Sequence, residues 1–210
     1  MSRGLGDVYK RQIKRQKSLK FFNIMFKPHG LHLISRIPSS EYRGYSFEAD
    51  CIFSPQELSR IKDRLLNCQN PDRRFTLMEQ FLFGKFRHDL VDARVDFAIK
   101  AYHHRDWDPV TISDKVCLSP RRFRELFSNQ TGFSPAYYKK LIRFYKSSKQ
   151  INGTSLTEVA LSNGYYDQSH FIKDFKHFSG LTPSTYLQLK LKSADFYNYD
   201  FKDLNIFAIK

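Results

Sequence analysis

One pattern occurs twice in this chain, displaced by 48 residues, and it constrains the fold more than any single motif. Phe123 falls on Phe171, Phe127 on Phe175, Gly132 on Gly180, Ser134 on Thr182, Pro135 on Pro183 and Tyr138 on Tyr186. A fixed period of this kind marks one supersecondary unit used twice. Both copies have the same local chemistry. Ser119-Pro120 is a helix N-cap followed by proline at the first helical position, where its missing N–H costs nothing, and Asp167 takes the cap in the second copy. Phe123, Leu126 and Phe127, like Phe171, Phe175 and Phe178, recur at helical spacing and form one apolar stripe. Arg121, Arg122, Arg124 and Glu125 lie off the first stripe, and Gln168, Ser169, Lys173 and Asp174 off the second. Gly132 and Gly180 close the two helices, and Ser134-Pro135 and Thr182-Pro183 cap the helices that follow.

A shorter apolar segment precedes each capped helix, Ile112–Cys117 in one copy and Leu156–Leu161 in the other. A short helix, a tight turn and an amphipathic second helix make a helix-turn-helix. The turns are Leu118-Ser119 and Ser162–Tyr166. Helices over about Asp92–His104 and Pro135–Ile151 precede the two copies, the second ending at the break Asn152-Gly153. The fold class that follows is mainly α: two helix-turn-helix subdomains (111–128 and 155–178) joined by a long linker helix (135–151), about seven helices in all, preceded by a small α+β segment. In that segment Phe26–Ile34 reads as a strand interrupted by a turn, and Pro55–Leu66 and Arg74–Phe86 as amphipathic helices.

Composition narrows the function. Lysine and arginine number 35 against 21 acids, a formal charge of +14, which suits a polyanionic partner. The charge is uneven: residues 119–151 carry Arg121, Arg122, Arg124, Lys139, Lys140, Arg143, Lys146 and Lys149 against Glu125 alone. Such a run is either a phosphate-facing surface or a solvated helix face. Cys51, Cys68 and Cys117 form no C-x-x-C pair, so neither a disulfide framework nor a structural zinc is expected, and a reducing cytoplasm is. No apolar run approaches the length of a membrane span.

Enzyme readings fail on chemistry. His29-x-x-His32 lacks a third ligand or a glutamate at the spacing of a zinc hydrolase. His103-His104, beside Asp106 and Asp108, reads as a solvated helix end. A glycine-rich phosphate loop, a G-x-S-x-G elbow and a cofactor box are all missing, so no catalytic residue, metal or cofactor is expected.

The run Gly164-Tyr165-Tyr166-Asp167-Gln168-Ser169-His170-Phe171-Ile172-Lys173-Asp174-Phe175-Lys176, followed by Gly180-Leu181-Thr182-Pro183-Ser184-Thr185-Tyr186, resembles the second helix-turn-helix of the AraC/XylS family of bacterial transcription regulators. Leu118-Ser119-Pro120, Phe123, Phe127, Gly132 and Ser134-Pro135 resemble the first. The likeness covers about a hundred residues. It departs at Ser113, where the family usually has alanine at the crossing of two helices, a position that still accepts a small polar side chain.

The resemblance implies a non-catalytic, sequence-specific regulator whose two recognition helices enter adjacent segments of the major groove of double-stranded DNA. Carried over by position, Arg121, Arg124, Glu125, Gln168, Ser169 and Lys173 face base edges, where Arg and Lys suit guanine, Gln adenine and Glu cytosine. Arg122, Lys139, Lys140, His170 and Lys176 contact phosphate. Glu125 has a second reading, as the surface partner of its neighbouring arginines. Phe123, Phe127, Gly132, Pro135, Gly164, Phe171, Phe175, Gly180 and Pro183 are expected to form the structural core. An architectural or protein-interaction module on the same fold, binding DNA only non-specifically through charge, is the alternative.

Domains follow from the same resemblance: 89–192 as the DNA-binding domain, 20–88 as the remnant of a truncated N-terminal sensor domain of a Bacteroidetes-type branch, and 193–210 as a tail. Residues 1–19 read as a non-native or disordered basic segment, Met1–Gln12 resembling translated sequencing adapter. RNA polymerase is a further candidate partner. With 20–88 too small to enclose a ligand, no small-molecule effector is expected, and the chain is expected to be a monomer or weak dimer.

Overall fold

The computed structural model describes residues 26–35, 37–43, 47–87, 90, 92–152 and 155–192. Residues 1–19, Gly153 and the tail 193–210, on which sequence expectations rest, lie outside the described residues. The mainly α expectation holds. Helices α1 (Pro55–Asn67), α2 (Pro71–Phe83), α3 (Ala93–His104), α4 (Pro109–Lys115), α5 (Pro120–Thr131), α6 (Pro135–Gln150), α7 (Leu156–Ser162), α8 (Gln168–Ser179) and α9 (Pro183–Lys192) follow one another, with 3-10 turns at Ser39–Tyr42 and Ala49–Cys51. Six of these nine open on proline, whose fixed φ suits a first turn that has no use for its N–H. α5 and α8, and α6 and α9, begin 48 residues apart. None of the described helices is long and apolar enough to cross a membrane.

The strand expected over 26–34 is not formed. Gly30 N–H donates to Lys27 O at 2.7 Å, and the amides of Ile34 and Ser35 both donate to Leu31 O, so the segment runs as consecutive turns. Pro28 and Gly30 explain this: proline cannot donate to a ladder, and both residues favour turns.

The described residues fall into two compact units. One comprises 24–101 with 110–134, the other 102–109 with the chain from 135 onward. The boundary read between 88 and 89 therefore falls inside the first unit. There, α1 starts with a full capping box: Glu57 N–H donates to Ser54 Oγ, while Ser54 N–H donates to Glu57 Oε2 at 2.9 Å. Lys85 also reaches Glu57, and these bonds hold the Glu57 carboxyl at about 2. Val95, Ala98, Ile112, Phe123 and Phe127 are buried in this unit. Ser113 is fully buried with its hydroxyl donated to Val110 O at 2.8 Å, so serine at that crossing meets its hydrogen-bonding need inside the helix.

In the other unit, Ile151, Val159, Ala160, Tyr165, Phe171 and Phe175 make one core, with Phe144, Leu156, Ile172, Tyr186 and Leu187 packed against it. The Phe175 ring sits 5.0 Å from Phe144, 5.3 Å from Tyr186 and 5.6 Å from Phe171, mostly edge to face. Removing a ring of this size from water is worth about 1.5–3 kcal/mol, so two buried phenylalanines per motif are the main fastening of each amphipathic helix.

Candidate nucleic-acid interface

Each amphipathic helix is bounded by a polar cap and a left-handed glycine. Ser119 Oγ accepts the Arg122 amide at the start of α5, and Asp167 Oδ1 accepts the His170 amide at 2.6 Å at the start of α8. At their ends Gly132 and Gly180 have φ of +78° and +75°. Between these limits the phenylalanines turn inward and the opposite face is solvated.

On α5, Arg121, Arg122, Arg124 and Glu125 are all exposed. Glu125 is shared by Arg121 Nε at 3.2 Å and Arg122 Nη1 at 3.6 Å. The reading of Glu125 as the partner of neighbouring arginines is thus what this structure displays. Pairs this exposed are worth at most about 1 kcal/mol and dissolve readily in favour of a phosphate. Arg124 makes no ion pair among the described residues.

On α8, Ser169, Lys173 and Lys176 are exposed. Gln168 is half-buried, its Oε1 accepting the Thr157 hydroxyl of α7 at 2.9 Å. Adenine readout uses both ends of a glutamine amide, and Oε1 has a second lone pair for it beside the Thr157 bond. His170 packs its ring edge-to-face on Tyr165, centroids 5.4 Å apart, with Nε2 3.7 Å from Asp174. Lys139 Nζ lies 3.0 Å from Asp106 Oδ1, whereas Lys140 is exposed.

The core set divides. Phe123, Phe127, Gly132, Pro135, Phe171, Phe175 and Pro183 are buried. Gly164 and Gly180 are exposed, and a Cβ on either would meet nothing within 4 Å. Their part in the structure is positive φ, +75° at each, which at Gly180 is the helix-closing role expected of it. At Gly132 a Cβ would stand 2.8 Å from the Ser39 carbonyl oxygen, so the 3-10 turn over Ser39–Tyr42 rests directly on the end of α5.

Asp174 is the clearest displacement from expectation. Read as part of the outer face, it is largely buried and bonded to Arg143 Nη2 at 2.9 Å. Arg143 Nη1 also donates to Gly164 O at 3.1 Å, and the guanidinium lies 4.2 Å from the centre of the Tyr165 ring. A signal for this was present, because Asp174 is three residues after Phe171, the spacing that put Leu126 on the first stripe. Among the described residues no group of three or more His, Cys, Asp or Glu side chains is placed to hold a metal.

Two capped, glycine-terminated amphipathic helices, each following a shorter helix across a tight turn, define a double helix-turn-helix domain. Residues 112–189 match the family model described as "Helix-turn-helix domain". The chain is 29% identical over 122 residues to the HTH-type transcriptional regulator AdiY of Escherichia coli, covering 54% of this chain and 48% of that protein. It is 27% identical over 107 residues to the HTH-type transcriptional activator RhaR of Yersinia pseudotuberculosis, covering 50% of this chain and 36% of that one. It thus spans about half the length of these curated relatives, or less. A solved structure titled as a probable AraC family transcriptional regulator from Rhodopseudomonas palustris is similar at 23% identity and a TM-score of 0.40, covering 48% of this chain and 96% of that one. Over residues 112–189 the chain thus carries a helix-turn-helix domain similar to those of these transcriptional regulators.

Proposed function

We propose that this protein is a transcription regulator that binds double-stranded DNA sequence-specifically, with α5 and α8 entering neighbouring stretches of the major groove. The observation that carries the reading is the sidedness of the two helices. Each buries two phenylalanines completely, Phe123 and Phe127 on α5 and Phe171 and Phe175 on α8, and presents, on the solvated side, side chains suited to base edges: Arg121, Arg124 and Glu125 on α5, Ser169 and Lys173 on α8. Arginine and lysine match guanine O6 and N7, and an α-helix fits the major groove. Arg122, Lys140 and Lys176 supply positive charge beside them, positioning without specifying.

Selection of binding duplexes from a random pool tests this. A recovered motif of two blocks about one helical turn apart is the expected result. Enrichment of DNA without any motif would replace this reading with binding through charge alone.

A further inference from the structure

We infer that Arg143 and Asp174 form a positioning clamp that fixes the pose of α8, so that Arg143 serves the second reading helix from inside the fold and not as a phosphate contact. The inference rests on the DNA-binding reading above for its functional half.

The geometry is specific. One guanidinium, on α6, holds a carboxylate on α8 at 2.9 Å and a backbone carbonyl in the turn before α8 at 3.1 Å, and lies 4.2 Å from the ring centre of the residue following that carbonyl. The Arg143 and Asp174 side chains retain 20% and 15% of their exposure. Arginine's rigid fork makes two directional bonds at once, which fixes angle as well as distance. Here the two acceptors are the helix that reads and the turn that aims it. Phe171 and Phe175 hold α8 onto its core by close packing, but they make no directed bond to the turn that leads into the helix. The fork supplies what the rings lack. The first motif has no counterpart on its helix, since Leu126 stands where Asp174 does.

The sign of one substitution, made in a His170→Gln background because His170 also lies 3.7 Å from Asp174, separates the clamp from a phosphate contact. Asp174→Asn removes a negative charge from the protein. If Arg143 met phosphate, this change would free it and tighten DNA binding; if Arg143 positions α8, it loosens binding. The test is a double-mutant cycle with Arg143→Gln and Asp174→Asn in the full chain, measured on the selected duplex and on duplexes altered in either block.

Each single variant is expected to lose about tenfold in affinity, the double variant no more than either. The loss should vanish on duplexes already altered in the block read by α8, and the salt dependence should match the parent's. Arg143→Lys keeps the charge but cannot hold both acceptors, so it should lose affinity as well. Tighter binding by Asp174→Asn, additive losses, or a shallower salt slope in Arg143→Gln overturns the clamp. If the parent protein shows no sequence-dependent binding, the functional reading fails, and the clamp is then judged by amide exchange over 168–179. Faster exchange in both single variants upholds it, and unchanged exchange refutes it.

Discussion

The two helix-turn-helix motifs start from one pattern and are secured by different means. The helix of the first, α5, is sealed at its end: Gly132 lies under the Ser39 carbonyl, and Gln130 donates its side-chain amide to Leu90 O at 3.2 Å. The helix of the second, α8, ends on an open glycine and is held along its length by the Arg143 fork and an aromatic cluster. Repetition conserves the register of a helix, but neighbours decide which positions on it become structural. The contrast exposes itself to four measurements.

The largest effect belongs to the aromatic cluster. Phe175→Ala is expected to cost about 3–5 kcal/mol, the usual penalty for an emptied ring site. It should abolish amide protection across α7 and α8 while α5, in the other compact unit, keeps its own. Loss of protection in both motifs together would mean that they fold as one cooperative block.

Next come the two terminal glycines. Both require a left-handed backbone, which costs a residue with a side chain about 1–2 kcal/mol. Gly180→Ala should lose about that amount. Gly132→Ala adds a collision with a carbonyl oxygen and should lose on the order of 3 kcal/mol. Chemical denaturation of both variants reads the gap, and equal losses would remove the seal from the description of α5.

On DNA, Arg124→Ala is expected to cost about 1–3 kcal/mol at the selected site and to relax discrimination at one base pair of the α5 block. Lys176→Ala should weaken every sequence alike and lower the salt slope by about one. Identical profiles would erase the distinction between specifying and positioning side chains.

The smallest effect is expected at Cys117, in the turn of the first motif. Cys117 has φ of +55°, and 47 residues later the second turn uses Gly164 at +75°. Cys117→Gly is expected to stabilise the chain by about 0.5–1 kcal/mol and Gly164→Ala to destabilise it by about 1–2. Thermal melts of the pair should therefore move in opposite directions.

Much of this was legible in the sequence. The 48-residue period, the Ser-Pro and Asp caps and the closing glycines placed the helices to within a few residues, because caps and stripes are local signals that need no partner. The strand expected at 26–34 is not formed because Pro28 and Gly30 outweigh an apolar run when, among the described residues, no neighbouring strand is present to pair with it. The charge of Asp174 points to the surface, whereas its spacing from Phe171 points to the buried side, and the Arg143 partner decides for the second. Arg143 could not have been assigned at all: its partners lie 21 and 31 residues away, and a basic helix face looks the same whether its arginines turn outward or in. The seal on Gly132 was equally invisible, since the atom involved is a backbone oxygen, which no residue type announces.

That seal bears on the order in which the chain assembles. Ser39 and Gly132 are 93 residues apart, whereas the Arg143–Asp174 pair spans 31. Closing the longer loop costs only about 1 kcal/mol more at equilibrium, but distant contacts slow a search far more than they tax its endpoint. The second motif can complete itself from a contiguous stretch of chain. The first depends on a turn some ninety residues back along the chain, so when a denatured whole chain refolds, the half of the repeat that comes first in the sequence is expected to finish last.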